Sequence, residues 1–260
     1  MNLELEHHYP KQVHIFNDKC LNTQLAYLCH PQTRQPLVNE LVKFLYGSLI
    51  NSVLAREFPT QKVRQPTRMT DKHPKQLLET EIMDQNQRVV VVNLARAGTL
   101  PSQICYDVLN YTLNPEMVRQ DHITAARQVD ESHRVTGTTF SGSKIGGDVD
   151  KAVVLFPDPM GATGGTIAAA LNYYKNNIKG KAKKYIGLHL IVTPEYLANV
   201  TNDHSDFVVY AARLDRGMSS PEVLKDIPGK NWTKEKGLDD TDYIVPGGGG
   251  FGELLNNSYV

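Results

Sequence analysis

The sequence predicts an α/β fold in which a mostly parallel, twisted sheet is flanked by helices. Short apolar runs rich in β-branched residues alternate with segments of helical periodicity, and a glycine-rich loop joins one such run to a helix. Strands that alternate with helices pair in parallel, because the helix carries the chain back across the sheet. At 260 residues the chain is long enough to bury a full hydrophobic core, and we expect one large domain.

The first predicted element is a long helix over residues 35–58, where apolar side chains recur at helical steps until Pro59 ends the pattern. The continuous apolar run at residues 88–94 is typical of a strand covered on both faces. The same alternation then continues along the chain. Further strands are predicted at residues 121–126, 151–156, 185–192 and 207–212, and further helices at residues 101–109, 166–177 and 194–200.

Two segments depart from this alternation. Residues 135–147 are rich in Thr, Ser and Gly with little to bury, which predicts an exposed hairpin or a flexible flap. Beyond Arg213 the periodicity is lost, and prolines recur up to a glycine run at residues 247–250. We expect residues 213–260 and the N-terminal helix region to form a loop-rich hood over the sheet.

Composition and charge argue against several classes of protein. Lys plus Arg and Asp plus Glu number 28 each, so the net charge is zero and no overall field attracts nucleic acid or an anionic membrane. The longest apolar run, around residues 89–95, is too short to cross a bilayer, and the N-terminus lacks the features of a secretory signal, so we expect a cytoplasmic protein. Cys20, Cys29 and Cys105 lack metal-binding spacing and indicate neither a disulfide framework nor a zinc site.

The most informative segment is the loop between the predicted strand at residues 151–156 and the helix that follows. Gly161, Gly164 and Gly165 let the backbone turn so that successive N–H groups face an anion. Thr163 and Thr166 add hydroxyl donors, and the helix N-terminus adds positive potential. This pattern predicts a cradle for the phosphate of a phosphorylated sugar; the alternative is an ordinary strand-to-helix turn with a glycine cap.

Asp158 comes where the strand ends, which is the edge at which open parallel sheets bind ligands. Its carboxylate is suited to accept hydrogen bonds from sugar hydroxyls, which a bare phosphate would not need. Two common nucleotide signatures do not fit the loop. No Lys precedes Thr166, as a P-loop would require, and the GxGxxG spacing is missing.

Several segments carry a family resemblance. The loop reads Asp158-Pro159-Met160-Gly161-Ala162-Thr163-Gly164-Gly165-Thr166, and the others, in chain order, are Arg96-Ala97-Gly98, His122-Ile123 with Arg127, Lys144, Tyr210-Ala211-Ala212 with Asp215, and Tyr243-Ile244-Val245-Pro246-Gly247. The loop resembles the phosphoribosyl pyrophosphate (PRPP) motif of phosphoribosyltransferases, and its wording is similar to that of the uracil phosphoribosyltransferase family. The resemblance extends from about Leu21 to the C-terminus, so residues 1–20 are interpreted as an N-terminal extension to a single domain over residues 21–260.

The resemblance implies a glycosyltransferase of pyrimidine salvage that converts uracil and PRPP to uridine monophosphate and pyrophosphate. Asp158 would hold the ribose hydroxyls, Arg96 and Arg127 would hold the pyrophosphate, and Lys144 would close over it; the first three are the expected catalytic residues. Mg²⁺ would accompany PRPP, held mainly by substrate oxygens and water, and the protein would form a homodimer. The implied PRPP loop comprises Gly161, Ala162, Thr163, Gly164, Gly165 and Thr166, and the implied uracil segment comprises the backbone of Tyr243, Ile244, Val245, Pro246, Gly247 and Gly249.

The C-terminal segment departs from the family pattern. The family usually continues Gly-Leu-Gly-Asp-Ala-Gly-Asp-Arg, whereas here Gly250 replaces the first acid and Leu254 replaces the arginine, while Glu253 keeps one charge. Two alternatives therefore stay open: a catalytically weak relative that binds PRPP or a nucleotide as a regulator, and a phosphoribosyltransferase for a different base. Arg96 has the alternative of a structural ion pair, and Arg127 that of a solvated arginine.

Overall fold

A computed structural model describes residues 4–129 and 135–258, with the backbone alone for residues 125–129 and 135–139. An eight-stranded sheet forms its centre, in the order β1-β10-β9-β7-β4-β5-β6, and β8 pairs with β9 beside this path. All pairs in this sheet are parallel except β5 with β6. Its strands are β1 Val13–Ile15, β4 Val89–Ala95, β5 Val118–Val129, β6 Val135–Lys144, β7 Val153–Pro157, β8 Met160–Gly161, β9 Lys184–Val192 and β10 Phe207–Leu214.

Helices cover both faces of the sheet, which confirms the predicted fold class. The helices are α1 Lys19–Leu28, α2 Leu37–Glu57, α3 Thr99–Thr112, α4 Gly165–Asn177, α5 Pro194–Asn202, α6 Pro221–Lys225 and α7 Phe251–Asn256, with 3₁₀ turns at Pro115–Met117 and Trp232–Lys234. Each of these helices is too short or too polar to cross a bilayer.

Alternation along the strands divides the core into two clusters. Val91 and Leu155 point to the face that packs under α2 and α3, whereas Val92 and Phe156 point to the face under α4 and α5. Successive side chains of a strand alternate between faces, so a strand buried on both faces needs an uninterrupted apolar run. This is why the runs at β4, β7, β9 and β10 were recognisable in the sequence.

Some elements carry weaker sequence signals, and we did not predict them. The strands β2 Thr60–Gln65 and β3 Leu78–Met83 form a separate antiparallel pair whose side chains are exposed or half-buried, so no apolar pattern marks them. β1 extends the main sheet by only three residues, within the predicted N-terminal extension. α1 has an N-cap at Asp18 and buries one apolar stripe, a helical signal that could have been recognised.

The antiparallel hairpin of β5 and β6 includes most of the segment predicted as a hairpin or flap. Its base is fixed by Asp121, which is fully buried and accepts four hydrogen bonds. Two come from the Arg119 guanidinium at 3.0 and 3.1 Å, one from the Tyr174 hydroxyl at 2.9 Å and one from the Gly146 N–H at 2.8 Å. One buried carboxylate thus joins β5, α4 and the chain that leaves β6.

Replacing Asp121 with Asn should destabilise the fold strongly. The substitution removes the charge that Arg119 neutralises and turns one acceptor into a donor, and breaking a buried pair in this way typically costs about 3 kcal/mol. Urea denaturation should show this loss in the free energy of unfolding. The control Asp107→Asn, on the exposed side of α3 where Asp107 accepts from Gln103, should stay within about 0.5 kcal/mol of the parent. Equal stability of the two variants would show that the Asp121 network is not structural.

Candidate functional site

A cavity of about 630 Å³ opens at the carboxyl edge of β4 and β7. Its lining comes from four parts of the chain: residues 94–97 at the end of β4 and just beyond it, residues between 158 and 167 after β7, Tyr196 of α5, and residues 242–244 and 249–253 of the C-terminal segment. Ligands of open parallel sheets bind at this edge because the strand-to-helix loops there lie side by side. The structure therefore brings together the loops that the sequence pattern singled out.

The loop after β7 is held through its carbonyl groups. Each of these carbonyls accepts a hydrogen bond from β9, from α5 or from the residue that joins them. The pairs are Asp158 O with His189 Nδ1 at 2.6 Å, Pro159 O with Leu190 N at 3.0 Å, Gly161 O with Thr193 N at 3.1 Å, Ala162 O with Thr193 Oγ1 at 2.7 Å, and Thr163 O with Asn199 Nδ2 at 2.8 Å.

The N-terminus of α4 opens at the cavity, because Gly164, Gly165 and Thr166 all line it. The first N–H groups of α4 have no acceptor within the helix, so an anion in the cavity can take them. Gly164 precedes α4 in a left-handed conformation, with φ 84° and ψ −6°. All but one of the predicted phosphate residues line the cavity, namely Ala162, Thr163, Gly164, Gly165 and Thr166.

Gly161 lies behind the cavity rather than in its wall. A Cβ at this position would lie 2.9 Å from Val192 Cγ1 and 3.0 Å from the Tyr196 ring. Glycine is required here because the loop packs directly on α5. Gly161 can therefore serve the predicted PRPP binding only indirectly, by letting the loop pack closely on β9 and α5.

Asp158 lines the cavity at the end of β7. Its N–H donates to Leu188 O at 3.1 Å, and its Oδ1 accepts from Met160 N at 3.2 Å. The second bond orients the carboxylate at the start of the loop. The side chain thus stands at the mouth of the cradle formed by the N-terminus of α4.

Arg96 follows β4 after a cis peptide bond with Ala95, and it lines the cavity. Its Nη1 donates to Ser258 Oγ at 2.7 Å, and its Nη2 lies 3.8 Å from Glu253 Oε1. The Arg96 side chain is 46% exposed. The two interpretations of this residue therefore coincide: the guanidinium is paired with a carboxylate and also faces the candidate site.

Of the other two predicted cations, the described residues place only the Lys144 side chain, and it is not part of the cavity lining. Arg127 lies on β5 opposite Thr138, and its side chain falls outside the described residues. Lys144 ends β6 opposite His122 on β5, away from the lining. Among the described residues that line the cavity, the charged groups are Arg96 and the three carboxylates Asp158, Asp242 and Glu253.

The predicted uracil segment is divided between the cavity wall and the layer behind it. Tyr243, Ile244 and Gly249 line the cavity, whereas Val245, Pro246 and Gly247 do not. Most of its backbone groups are already used. Tyr243 O accepts from Asp239 N at 2.9 Å, Val245 N donates to Gly237 O at 2.8 Å, and Val245 O accepts from Gly217 N at 2.9 Å.

Ile244 is different from its neighbours. It forms a bridge with Leu238 in which the flanking residues carry the ladder bonds, so its own N–H and C=O point away from that hairpin. Neither group has a hydrogen-bond partner within the described part of the chain. Ile244 thus lines the cavity with an N–H that the described residues leave unused, while its carbonyl oxygen lies against Gly247.

A buried ion pair holds Gly247 from both sides. Arg213 forms a bidentate pair with Asp215 at 2.7 and 2.8 Å, donates to Gly247 O at 2.8 Å, and Gly247 N donates to Asp215 Oδ2 at 2.8 Å. Burial alone would lower the pKa of Arg213, but the hydrogen bonds and charge of Asp215 outweigh it and raise that pKa. The sequence pattern had marked Asp215 only by resemblance and Arg213 not at all, although Arg-x-Asp ends a buried strand.

Gly250 and Glu253 are close neighbours in the wall. A Cβ on Gly250 would collide with the Glu253 carboxylate, so this carboxylate covers the space that a side chain at position 250 would enter. Residue 250 is a glycine and Glu253 supplies a nearby negative charge. A dedicated metal site is not evident, because the described residues contain no cluster of three or more His, Cys, Asp or Glu that could hold an ion.

Comparisons with known proteins agree with this geometry. The model of the uracil phosphoribosyltransferase family matches residues 15–230. Similar relatives include the uracil phosphoribosyltransferases of Dictyoglomus thermophilum, 26% identical over 82% of this chain and 83% of the relative, and of Lysinibacillus sphaericus, 26% identical over 94% and 97%. Among solved structures, AQ2163 of Aquifex aeolicus is similar in fold, with a TM-score of 0.70, 18% identity and coverage of 95% of this chain and 99% of that one.

The clamp on Gly247 yields a prediction about local stability. In Asp215→Asn the charge is lost, and a hydrogen bond to a charged acceptor is worth about 1.5–3 kcal/mol, so the Gly247 amide should exchange at least about tenfold faster. Amide hydrogen exchange measures this directly. The exposed control Asp240→Asn should leave the Gly247 rate unchanged. Equal rates in both variants would mean that Asp215 does not hold the segment.

Proposed function

This chain belongs to the uracil phosphoribosyltransferase family, and from that premise we propose that it transfers the phosphoribosyl group of PRPP to uracil, releasing pyrophosphate. One observation carries the proposal. Five carbonyls of the loop after β7, those of residues 158, 159 and 161–163, accept hydrogen bonds from β9, Thr193 or α5, and the loop held in this way places the N-terminus of α4 at the cavity beside Asp158. A 5′-phosphate with an adjacent ribose diol matches that pair of features.

Each part of PRPP has a partner in this proposal. The amides and hydroxyls of residues 163–166 bind the 5′-phosphate, where the helix N-terminus favours negative charge. The Asp158 carboxylate accepts hydrogen bonds from the ribose hydroxyls. Arg96 binds the pyrophosphate, since a guanidinium presents a fixed fork of donors to phosphate oxygens. We propose Arg127 and Lys144 as further contacts from the hairpin of β5 and β6.

The backbone of Ile244 supports uracil as the acceptor base. The edge of uracil alternates carbonyl acceptors with N–H donors, as a peptide does. The N–H and C=O of Ile244 have no hydrogen-bond partner among the described residues, and Ile244 lines the cavity together with Tyr243 and Gly249. Asp215 and Arg213 would fix the far side of the segment, so that little ordering is needed when the base binds.

In the reaction, the bond from C1′ to the pyrophosphate oxygen breaks, the bond from C1′ to uracil N1 forms, and the N1 proton is released. The transition state resembles an oxocarbenium ion, so the protein acts by positioning the reactants, stabilising the leaving group and excluding water. Mg²⁺ bound to PRPP would neutralise phosphate charge. The carboxylates of Asp158 and Glu253 suit such an ion as occasional ligands, with most of its coordination left to substrate and water. A cytoplasmic location and a homodimer stay predictions.

A regulatory PRPP-binding protein is the second candidate, because Gly250 lacks a side chain and Glu253 competes for Arg96. Radiolabelled uracil with PRPP and Mg²⁺ tests the two. Formation of uridine monophosphate supports the enzyme, and tight PRPP binding without turnover supports the regulator. A panel of other pyrimidines and of purines tests the third alternative, a different base. Failure to bind PRPP would overturn all of them.

Gly164→Ala should weaken PRPP binding at least about tenfold, because an L residue in the left-handed conformation is strained by about 1–2 kcal/mol and the cradle must shift to relieve it. The new Cβ would also lie 3.1 Å from Val200 Cγ1. Calorimetric titration with PRPP measures the change. Gly47→Ala is the matched control, since Gly47 lies within α2 with no atom near a new Cβ, and it should bind PRPP as the parent does. Unchanged affinity of Gly164→Ala would contradict the cradle.

Glu253→Gln should lower the KM for PRPP by about two- to fivefold, since a partly exposed pair is worth roughly 0.2–1 kcal/mol and its loss frees Arg96 for the pyrophosphate. Steady-state kinetics at fixed uracil measure it. Glu116→Gln, in the exposed 3₁₀ turn after α3, is the control and should not change the KM. A higher KM in Glu253→Gln would show instead that the Glu253 carboxylate contributes to binding.

A further inference from the structure

His189 on β9 is completely buried beneath the start of the loop after β7. It lies behind the cavity lining, so it does not touch a ligand there. Gly187 makes room for it, since a Cβ at that position would lie 2.5 Å from His189 Nε2. The buried imidazole thus occupies space that a side chain at position 187 would need.

Both ring nitrogens of His189 have a partner at short distance. Nδ1 lies 2.6 Å from the carbonyl oxygen of Asp158, and Nε2 lies 2.6 Å from the hydroxyl of Tyr196. A carbonyl can only accept, so Nδ1 must carry the proton. Nε2 of the neutral ring is then an acceptor, and the Tyr196 hydroxyl donates to it.

The surroundings maintain this proton arrangement. Burial lowers the pKa of His189 to about 4, so the ring is neutral at physiological pH. Burial likewise raises the pKa of Tyr196 well above its ordinary value, so its hydroxyl keeps the proton that it donates. Each bond in such a chain polarises the next, and the low dielectric of the interior strengthens both.

This chain of hydrogen bonds ends at the backbone of Asp158, the residue proposed to bind the ribose. Asp158 directly precedes Pro159, and the bond to its carbonyl holds the backbone of the residue from which the carboxylate projects. Tyr196 also packs its ring on Gly161 and lines the cavity. The same side chain therefore donates to the unprotonated nitrogen of His189 and supports the loop from behind.

We propose that His189, fixed as the Nδ1–H tautomer by the Asp158 carbonyl and held from behind by Tyr196, is a positioning residue that holds Asp158 in register with the ribose of PRPP. The role of Asp158 rests on the proposed function, whereas the tautomer and its two hydrogen bonds do not. His189 takes no part in the chemistry. It acts through the backbone of Asp158. A substitute for His189 must therefore keep an N–H that can donate to the Asp158 carbonyl.

Two substitutions of nearly equal size separate positioning from packing. His189→Asn keeps an N–H donor near the place of Nδ1, and His189→Leu removes it. We expect the Leu variant to lose at least about tenfold in kcat/KM for PRPP and the Asn variant to stay within about threefold of the parent, since one buried hydrogen bond accounts for such a factor. The KM for uracil should change in neither variant. Tyr210→Phe, which loses a hydroxyl bond to Glu57 at the end of α2, controls for destabilisation.

Equal impairment of the Leu and Asn variants, or no impairment in either, would overturn the positioning role. The tautomer is tested separately by the ¹⁵N chemical shifts of the parent, where a protonated Nδ1 and an unprotonated Nε2 support the proposal. A proton on Nε2 would overturn it whether or not the protein is active. Absence of PRPP binding combined with the expected tautomer would overturn the proposed function while leaving the His189 hydrogen bonds established.

Discussion

The candidate site depends on a row of hydrogen bonds that attaches the carbonyl side of one loop to β9 and α5. Buried carbonyls need a donor, and those of Asp158, Pro159 and Gly161 find one in β9 or Thr193, which fixes the path of the loop and places the N-terminus of α4 at the cavity. Thr193 and Asn199 supply this attachment at Ala162 and Thr163, and the N-terminus of α4 adds its own amides. An anion cradle follows without any lysine or arginine in the loop, which fits a chain with no net charge.

The electrostatics of the cavity are unusual for a site that is proposed to bind pyrophosphate. Three carboxylates and one guanidinium are its charged groups among the described lining residues, and Glu253 lies within ion-pair distance of that guanidinium. A multiply charged ligand therefore has to compete for Arg96, or to bring a cation with it. The Glu253 carboxylate occupies the space that a side chain at position 250 would need. The glycine at position 250 therefore permits the ion pair between Glu253 and Arg96.

Much of the fold was predictable, because strands buried on both faces require continuous apolar runs and α2 requires a helical stripe. The position of the loop at the sheet edge was also predictable, since it follows a strand buried on both faces and glycine permits the left-handed turn found at Gly164. Other parts were not. β2 and β3 have no apolar pattern, and His189, Arg213 and Glu253 act through contacts between segments distant in the sequence. Local patterns carry no information about such partners.

The C-terminal segment that lines the cavity is supported by the N-terminal part of the chain. Gln35, just before α2, donates to the carbonyls of Leu254 and Leu255 in α7 at 3.1 and 3.4 Å. Cys29, at the end of α1, lies 3.8 Å from the Arg213 guanidinium that holds Gly247. The N-terminal helices therefore form the rear support of the wall that contains Ile244. Because a flexible glycine run loses much entropy on ordering, this support is what allows residues 247–250 to form a wall before any ligand binds.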